Sequence, residues 1–179
     1  MQAWRISYSA HSPGTGRPCA ALRLLCCSLL ALCLTLTACA SRQSVPPIDA
    51  AAPPGARKVV EKAYSQIGTR YRLGGNAPGK GFDCSGLVQW AYKESGISVP
   101  RITTDQARSG NSVARTAPLQ VADILVFKTG TAPRGLHTGI YTGKGQFIHS
   151  PSKGQRVRTE QLDDEYWKKK YVGARRIIR

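Results

Sequence analysis

Hydrophobic residues recur along this chain with two periods, and each period marks a different kind of element. Val59, Val60, Ala63, Tyr64 and Ile67 fall at the three-and-four spacing of one helical face, and Gly68 supplies a stop. The same spacing returns in Cys84, Leu87, Val88, Ala91 and Tyr92, with Asp83 as the candidate N-cap and Gly96 as the breaker. Cys84 therefore falls at a helix start. Further on the pattern shortens, and strands are predicted at 123–127, 137–142, 146–150, 156–159 and 171–178, joined by short glycine-containing turns. Helices first and an antiparallel meander second predict the α+β class, in one domain without an internal repeat.

The N-terminal part has another texture. Residues 24–38 (LLCCSLLALCLTLTA) are apolar or small, follow Arg5, Arg17 and Arg23, and no acid precedes Asp49. A bilayer span needs about 20 residues, so this shorter run reads as the core of a signal peptide covering 1–38. Its end, Leu36, Thr37, Ala38 and Cys39, resembles the bacterial lipobox, which implies lipid attachment at Cys39. Residues 40–56 carry four prolines and five alanines without periodicity, so 39–56 reads as the lipidated cysteine and a partly extended tether. The folded domain is expected over 57–179.

Composition narrows the chemistry. With 179 residues, 41% of them hydrophobic, the chain can bury a core without a metal or disulfide staple. A net charge of +16 predicts attraction to polyanions, whether nucleic acid, anionic lipid or acidic cell-wall polymer, and does not choose among them. Five of the six cysteines precede residue 40, so Cys84 is a lone thiol in an exported domain. Such a thiol either pairs between molecules or is reactive. At a helix start, backbone N–H groups and the macrodipole favour the thiolate, which predicts a pKa below about 8.5.

Only two histidines, His137 and His149, follow the tether. If Gly143, Lys144 and Gly145 form a three-residue hairpin loop, Gly139 opposes His149, and His137 lies diagonal to His149 on one face. A two-residue loop would put them on opposite faces. Zinc held by Cys84, His137 and His149 has little support, because no paired-ligand spacing is present. The glycine-rich loop at 74–81 lacks the Gly-Lys-Ser/Thr end of a phosphate-binding loop. Trp90 and Tyr92 read as core, and Lys168, Lys169 and Lys170 as a solvated face.

From Arg57 to the C-terminus the chain resembles a known family through several segments together: TRYRLGG (69–75), GFDCSGLVQWAYKESGISVPR (81–101), TDQARSG (104–110), ADILVF (122–127), HTGIY (137–141), GQFIHSPSKGQRV (145–157) and YWKKKYVGARRI (166–177). These are similar to the NlpC-type cell-wall peptidases, exported relatives of papain, and most similar to the short Spr-like lipoproteins of Gram-negative outer membranes. The resemblance implies a papain-like fold with N-terminal helices packed on an antiparallel sheet. It implies Cys84 as nucleophile, His137 as general base, His149 as the group orienting that base, and the Tyr71 hydroxyl as an oxyanion donor. It implies peptidoglycan peptide stems as substrate, with no cofactor, no metal and no nucleic acid, acting as a monomer. The expected bond is the D-alanyl to meso-diaminopimelyl crosslink, with the γ-D-glutamyl to diaminopimelate bond second. A non-catalytic murein-binding regulatory lipoprotein is the rival reading. The expected location is the periplasmic face of the outer membrane, lipid-anchored. Ala122 departs from the family pattern, which usually has glycine there.

Overall fold

The computed structural model describes residues 46–130 and 135–179, so the expected signal peptide and the lipid site at Cys39 lie outside the described residues. Helix α1 spans Pro54–Tyr64, with Pro54 at its first turn, where a fixed φ fits and a missing N–H costs nothing. The expected tether is thereby corrected at its C-terminal end. The helix begins three residues before Arg57, Ala56 is buried, and Ile48 packs on the core, so the last of the Pro/Ala-rich stretch belongs to the domain. Helix α2, Cys84–Lys93, follows a two-stranded ribbon of β1 (Asn76–Ala77) and β2 (Gly81–Phe82). Helix α3 is a short turn at Thr103–Gln106.

A six-stranded antiparallel sheet completes the fold. Its strands are β3 (Asn111–Val113), β4 (Ile124–Lys128), β5 (Leu136–Gly143), β6 (Gln146–His149), β7 (Arg158–Gln161) and β8 (Tyr171–Arg176), arranged β3-β8-β4-β5-β6-β7. The meander expected from the sequence holds for β4 to β7. The last strand departs from it: after helix α4 (Glu165–Lys170), β8 crosses back to pair with β4 instead of extending the far edge. There Arg176 bonds the buried Asp123 carboxylate through Nε and Nη2, at 2.9 and 2.7 Å. Strand β3 escaped the sequence reading because it is three residues long and only Val113 is buried.

Period-two alternation sends the strand residues into two cores. On one face Ile124, Ile140 and Ile148 meet Val59, Val60, Leu87, Val88 and Tyr92 of α1 and α2. On the other, Leu125, Phe127 and Phe147 meet Trp167 of α4 and Tyr171. Lys168, Lys169 and Lys170 form the last turn of α4, where cations suit the negative end of the helix dipole. No helix among the described residues is long and apolar enough to cross a membrane.

The β5–β6 hairpin settles the register question in an unexpected way. Lys144 and Gly145, at φ +51° and +75°, make a two-residue turn that pairs Gly143 with Gln146. An irregularity between Tyr141 and Gly143 then absorbs one residue, and the body of the hairpin pairs Tyr141 with Phe147 and Ile140 with Ile148. The bulge restores the parity of a three-residue loop, so His137 and His149 share a face.

Candidate active site

The nucleophile candidate is fixed by a crowded backbone knot. Asp83 caps α2 by accepting from the Gly86 N–H at 2.7 Å, and its other oxygen accepts from Gly74 N–H at 2.9 Å. A Cβ on Gly86 would lie 2.0 Å from the Gly75 carbonyl oxygen, and one on Gly75 would lie 2.4 Å from that of Gly81. The glycines of this loop therefore serve close backbone approach, holding Cys84 at the wall of a cleft of about 600 Å³. Arg101 locks the same corner with a two-pronged ion pair to Asp83 at 2.9 and 2.7 Å and a bond to the Ser85 hydroxyl at 3.0 Å. Tyr71, half-buried, lines the cleft with Cys84, and burial raises the pKa of its phenol, so it stays a proton donor at neutral pH.

Gln106 joins this corner to the sheet. Fully buried, it donates from Nε2 to the carbonyls of Ser85 and Pro100 at 2.9 and 2.8 Å, and its Oε1 accepts from the Thr138 hydroxyl at 3.0 Å. Thr138 is the neighbour of His137, so one amide side chain sets the first turn of α2 against the start of β5. The Ser150 hydroxyl makes a second tie, to the Phe82 carbonyl at 2.7 Å.

The histidines meet as the diagonal register requires: His137 Nε2 lies 2.7 Å from His149 Nδ1. Gly139 makes room for the crossing, since a Cβ there would come within 2.8 Å of Phe147 and 3.3 Å of the His149 Cβ. Trp167 stacks on His137 with centroids 5.8 Å apart and meets His149 edge-on at 4.9 Å. The box is buried, and this burial, aided by the neighbouring imidazole, pushes the His137 pKa down to about 3. Burial also lowers that of His149, against the upward pull of Glu160.

The expected low thiol pKa does not survive the tertiary structure. Burial of Cys84 is the largest influence and raises its pKa, and the Asp83 carboxylate adds to the rise. Hydrogen bonds from the backbone at Thr138 and Ser85 oppose this without reversing it. Burial thus acts against the charged form of both groups, raising the Cys84 pKa and lowering that of His137. No group of three or more His, Cys, Asp or Glu among the described residues is placed to hold a metal ion, and the two histidines spend facing nitrogens on each other.

Sequence reading brought Cys84, His137, His149 and Tyr71 to notice and missed Arg101, Gln106, Trp167 and Glu160. Arg101 and Gln106 carry no local signal for these roles, because Asp83 and Thr138 lie 18 and 32 residues away from them. At Ala122 the backbone adopts φ +71°, which explains why glycine suits that position.

A thiol at a helix start, packed at Thr138 of the same strand that carries the hydrogen-bonded His137, defines a papain-like cysteine hydrolase architecture. The NlpC/P60 family profile matches residues 68–176, and the chain belongs to that family. It is 40% identical over 122 residues to Murein DD-endopeptidase MepH of Escherichia coli strain K12, covering 66% of this chain and 45% of that protein. It is 43% identical over 122 residues to Murein DD-endopeptidase MepS/Murein LD-carboxypeptidase of the same strain, covering 68% of this chain and 62% of that protein. Among solved structures, an NlpC/P60 family protein from Bacillus cereus ATCC 10987 superposes with a TM-score of 0.64 at 31% identity, covering 74% of this chain and 42% of the other. The chain thus spans less than two thirds of each of these relatives.

Proposed function

We propose that this chain is a cysteine endopeptidase of bacterial cell-wall peptides, acting on murein, with the D-alanyl to meso-diaminopimelyl crosslink as its bond. The observation that carries the reading is Cys84 at the α2 start in the large cleft, beside a strand that presents the 2.7 Å His137–His149 pair. The two relatives named as murein DD-endopeptidases support the substrate and the bond.

With Nε2 committed to His149, His137 keeps Nδ1 for the thiol. As the substrate carbonyl enters the cleft, Nδ1 takes the Cys84 proton while sulfur attacks the carbonyl carbon. The Tyr71 hydroxyl and an N–H of the α2 first turn donate to the developing oxyanion. The imidazolium then protonates the leaving amine and the C–N bond breaks, leaving a thioester. Water, deprotonated by the same nitrogen, hydrolyses the thioester and returns the thiol. His149 holds the ring of His137 in the one orientation that permits both transfers.

Digesting purified sacculi and identifying the products by mass tests the proposal. Wild type should release crosslink-cleaved stems, Cys84→Ala none, and His137→Ala about 10² to 10⁴-fold less. His149→Asn should keep partial activity, since its carbonyl still accepts a bond. Products cut at the γ-D-glutamyl bond would move the specificity, and no products would leave murein binding without catalysis.

The same proposal places the protein as a monomer on the periplasmic face of the outer membrane, anchored by lipid at Cys39. Multiple acyl chains would give stable anchorage. Cys39→Ala should release it to the soluble periplasmic fraction, and unchanged membrane fractionation would rule out this anchor.

A further inference from the structure

The His137–His149 hydrogen bond can run in either direction, and only one direction leaves a base. If His137 Nε2–H donates to His149 Nδ1, His137 Nδ1 carries a lone pair and His149 carries its proton on Nε2. If the bond runs the other way, His137 Nδ1 holds a proton and cannot take one from Cys84. The choice is thus settled at the far side of His149.

There His149 Nε2 is fully buried and has no hydrogen-bond partner, and the Glu160 Oε1 lies 3.9 Å from it. That is about 1 Å beyond an ordinary N–H···O bond, at ion-pair range. The position follows from the sheet: β7 pairs with β6, setting Phe147 opposite Glu160 and His149 opposite Arg158. Arg158 Nε holds the same Glu160 oxygen at 2.6 Å. The charged and titratable groups acting on His149 are therefore His137 on β5 and Glu160 and Arg158 on β7, while the uncharged rings of Phe147 and Trp167 close the remaining sides.

We infer that Glu160 is a positioning residue that sets the direction of the histidine pair, its carboxylate favouring the Nε2–H form of His149 and so keeping His137 Nδ1 free to act as the base. A carboxylate facing Nε2–H is attractive, whereas the same carboxylate facing an Nε2 lone pair repels it. After proton transfer the carboxylate also stabilises the positive charge shared by the two rings. Arg158 tempers this by drawing on the same oxygen. The inference rests on the catalytic reading above but concerns a tautomer, which is measurable without turnover.

The test is ¹⁵N NMR of the histidine ring nitrogens at neutral pH, with pH profiles of kcat and KM on a soluble murein peptide, for wild type, Glu160→Ala, Glu160→Gln and Arg158→Leu. Wild-type His149 should be the Nε2–H form. Glu160→Ala should populate the Nδ1–H form, lower kcat about tenfold with KM unchanged, and move the acidic limb to lower pH, because a group that stabilises the imidazolium is gone. Glu160→Gln, whose carbonyl still accepts, should restore the tautomer and most of kcat. Arg158→Leu should move the acidic limb to higher pH. An unchanged His149 tautomer and an unmoved limb in Glu160→Ala would overturn the inference while leaving the Cys84 mechanism intact. Full activity of Cys84→Ala would overturn the mechanism and leave the tautomer result standing.

Discussion

Two walls, one behind Cys84 and one around the histidine pair, are built by opposite means. The Cys84 wall is polar: a guanidinium, a carboxylate, a buried amide and three closely stacked glycine backbones fix the first turn of α2. The histidine wall is aromatic: Phe127, Phe147 and Trp167 surround two rings joined by a single hydrogen bond. The difference matches the two roles proposed for them. A nucleophile has to be held in place, and directional hydrogen bonds do this even where solvent enters. A base has to be unprotonated to act, and a buried aromatic box favours this by making the imidazolium costly.

Removing the aromatic wall should have the largest effect. Trp167→Ala takes away a buried indole packed on both histidines and should cost about 3–5 kcal/mol in urea unfolding. The water it admits should raise the histidine pKa values toward 6.5 and carry the acidic limb of kcat/KM upward. A stable variant with an unmoved limb would show that burial is not what keeps the base neutral.

Breaking the polar wall should cost less and leave the base alone. Arg101→Leu strips the countercharge from Asp83, whose carboxylate keeps its bonds to Gly74 and Gly86 N–H. Because Arg101 is partly exposed, the expected loss is about 2 kcal/mol, below that of a fully buried pair. Activity should fall through misplacement of Cys84, with the acidic limb of the pH profile unchanged. A shifted limb would mean that the two walls are coupled.

Acid titration of stability sharpens the contrast further. The folded pKa of His137 lies below its ordinary 6.5, so below pH 6.5 the unfolded chain binds a proton that the folded chain refuses. Stability should therefore be fully present above pH 6.5 and decline below it, toward pH 3, by up to about 1.4 kcal/mol per pH unit for this residue. Measured Tm values at pH 7.5, 6, 5 and 4.5 check this, and a flat profile would contradict a buried, uncharged His137.

The smallest effect is expected at the helix that carries Trp167. Asp164 caps α4 by accepting from Tyr166 N–H at 2.9 Å, so Asp164→Ala should cost about 1 kcal/mol. Hydrogen exchange of the α4 amides should rise in this variant while α2 stays protected. Equal loosening of both helices would show that the walls are not held separately.

The sequence by itself determined the local elements and the chemistry they carry. Helical spacing, the Asp83 cap and the hairpin residues are short-range signals, since each depends on neighbours within a turn or two, and they sufficed to put Cys84 at a helix start and both histidines on one hairpin, while the bulge between Tyr141 and Gly143 decided that they share a face. Tertiary structure alone decided what surrounds them. The return of β8 beside β4, the reach of Arg101 to Asp83 and of Gln106 to Thr138, and the seating of Trp167 over the histidines all join residues far apart in the chain. Titration behaviour was set at the same level: a helix start favours a thiolate, but burial raises the Cys84 pKa, and no run of neighbouring residues reports how deeply a side chain will be buried.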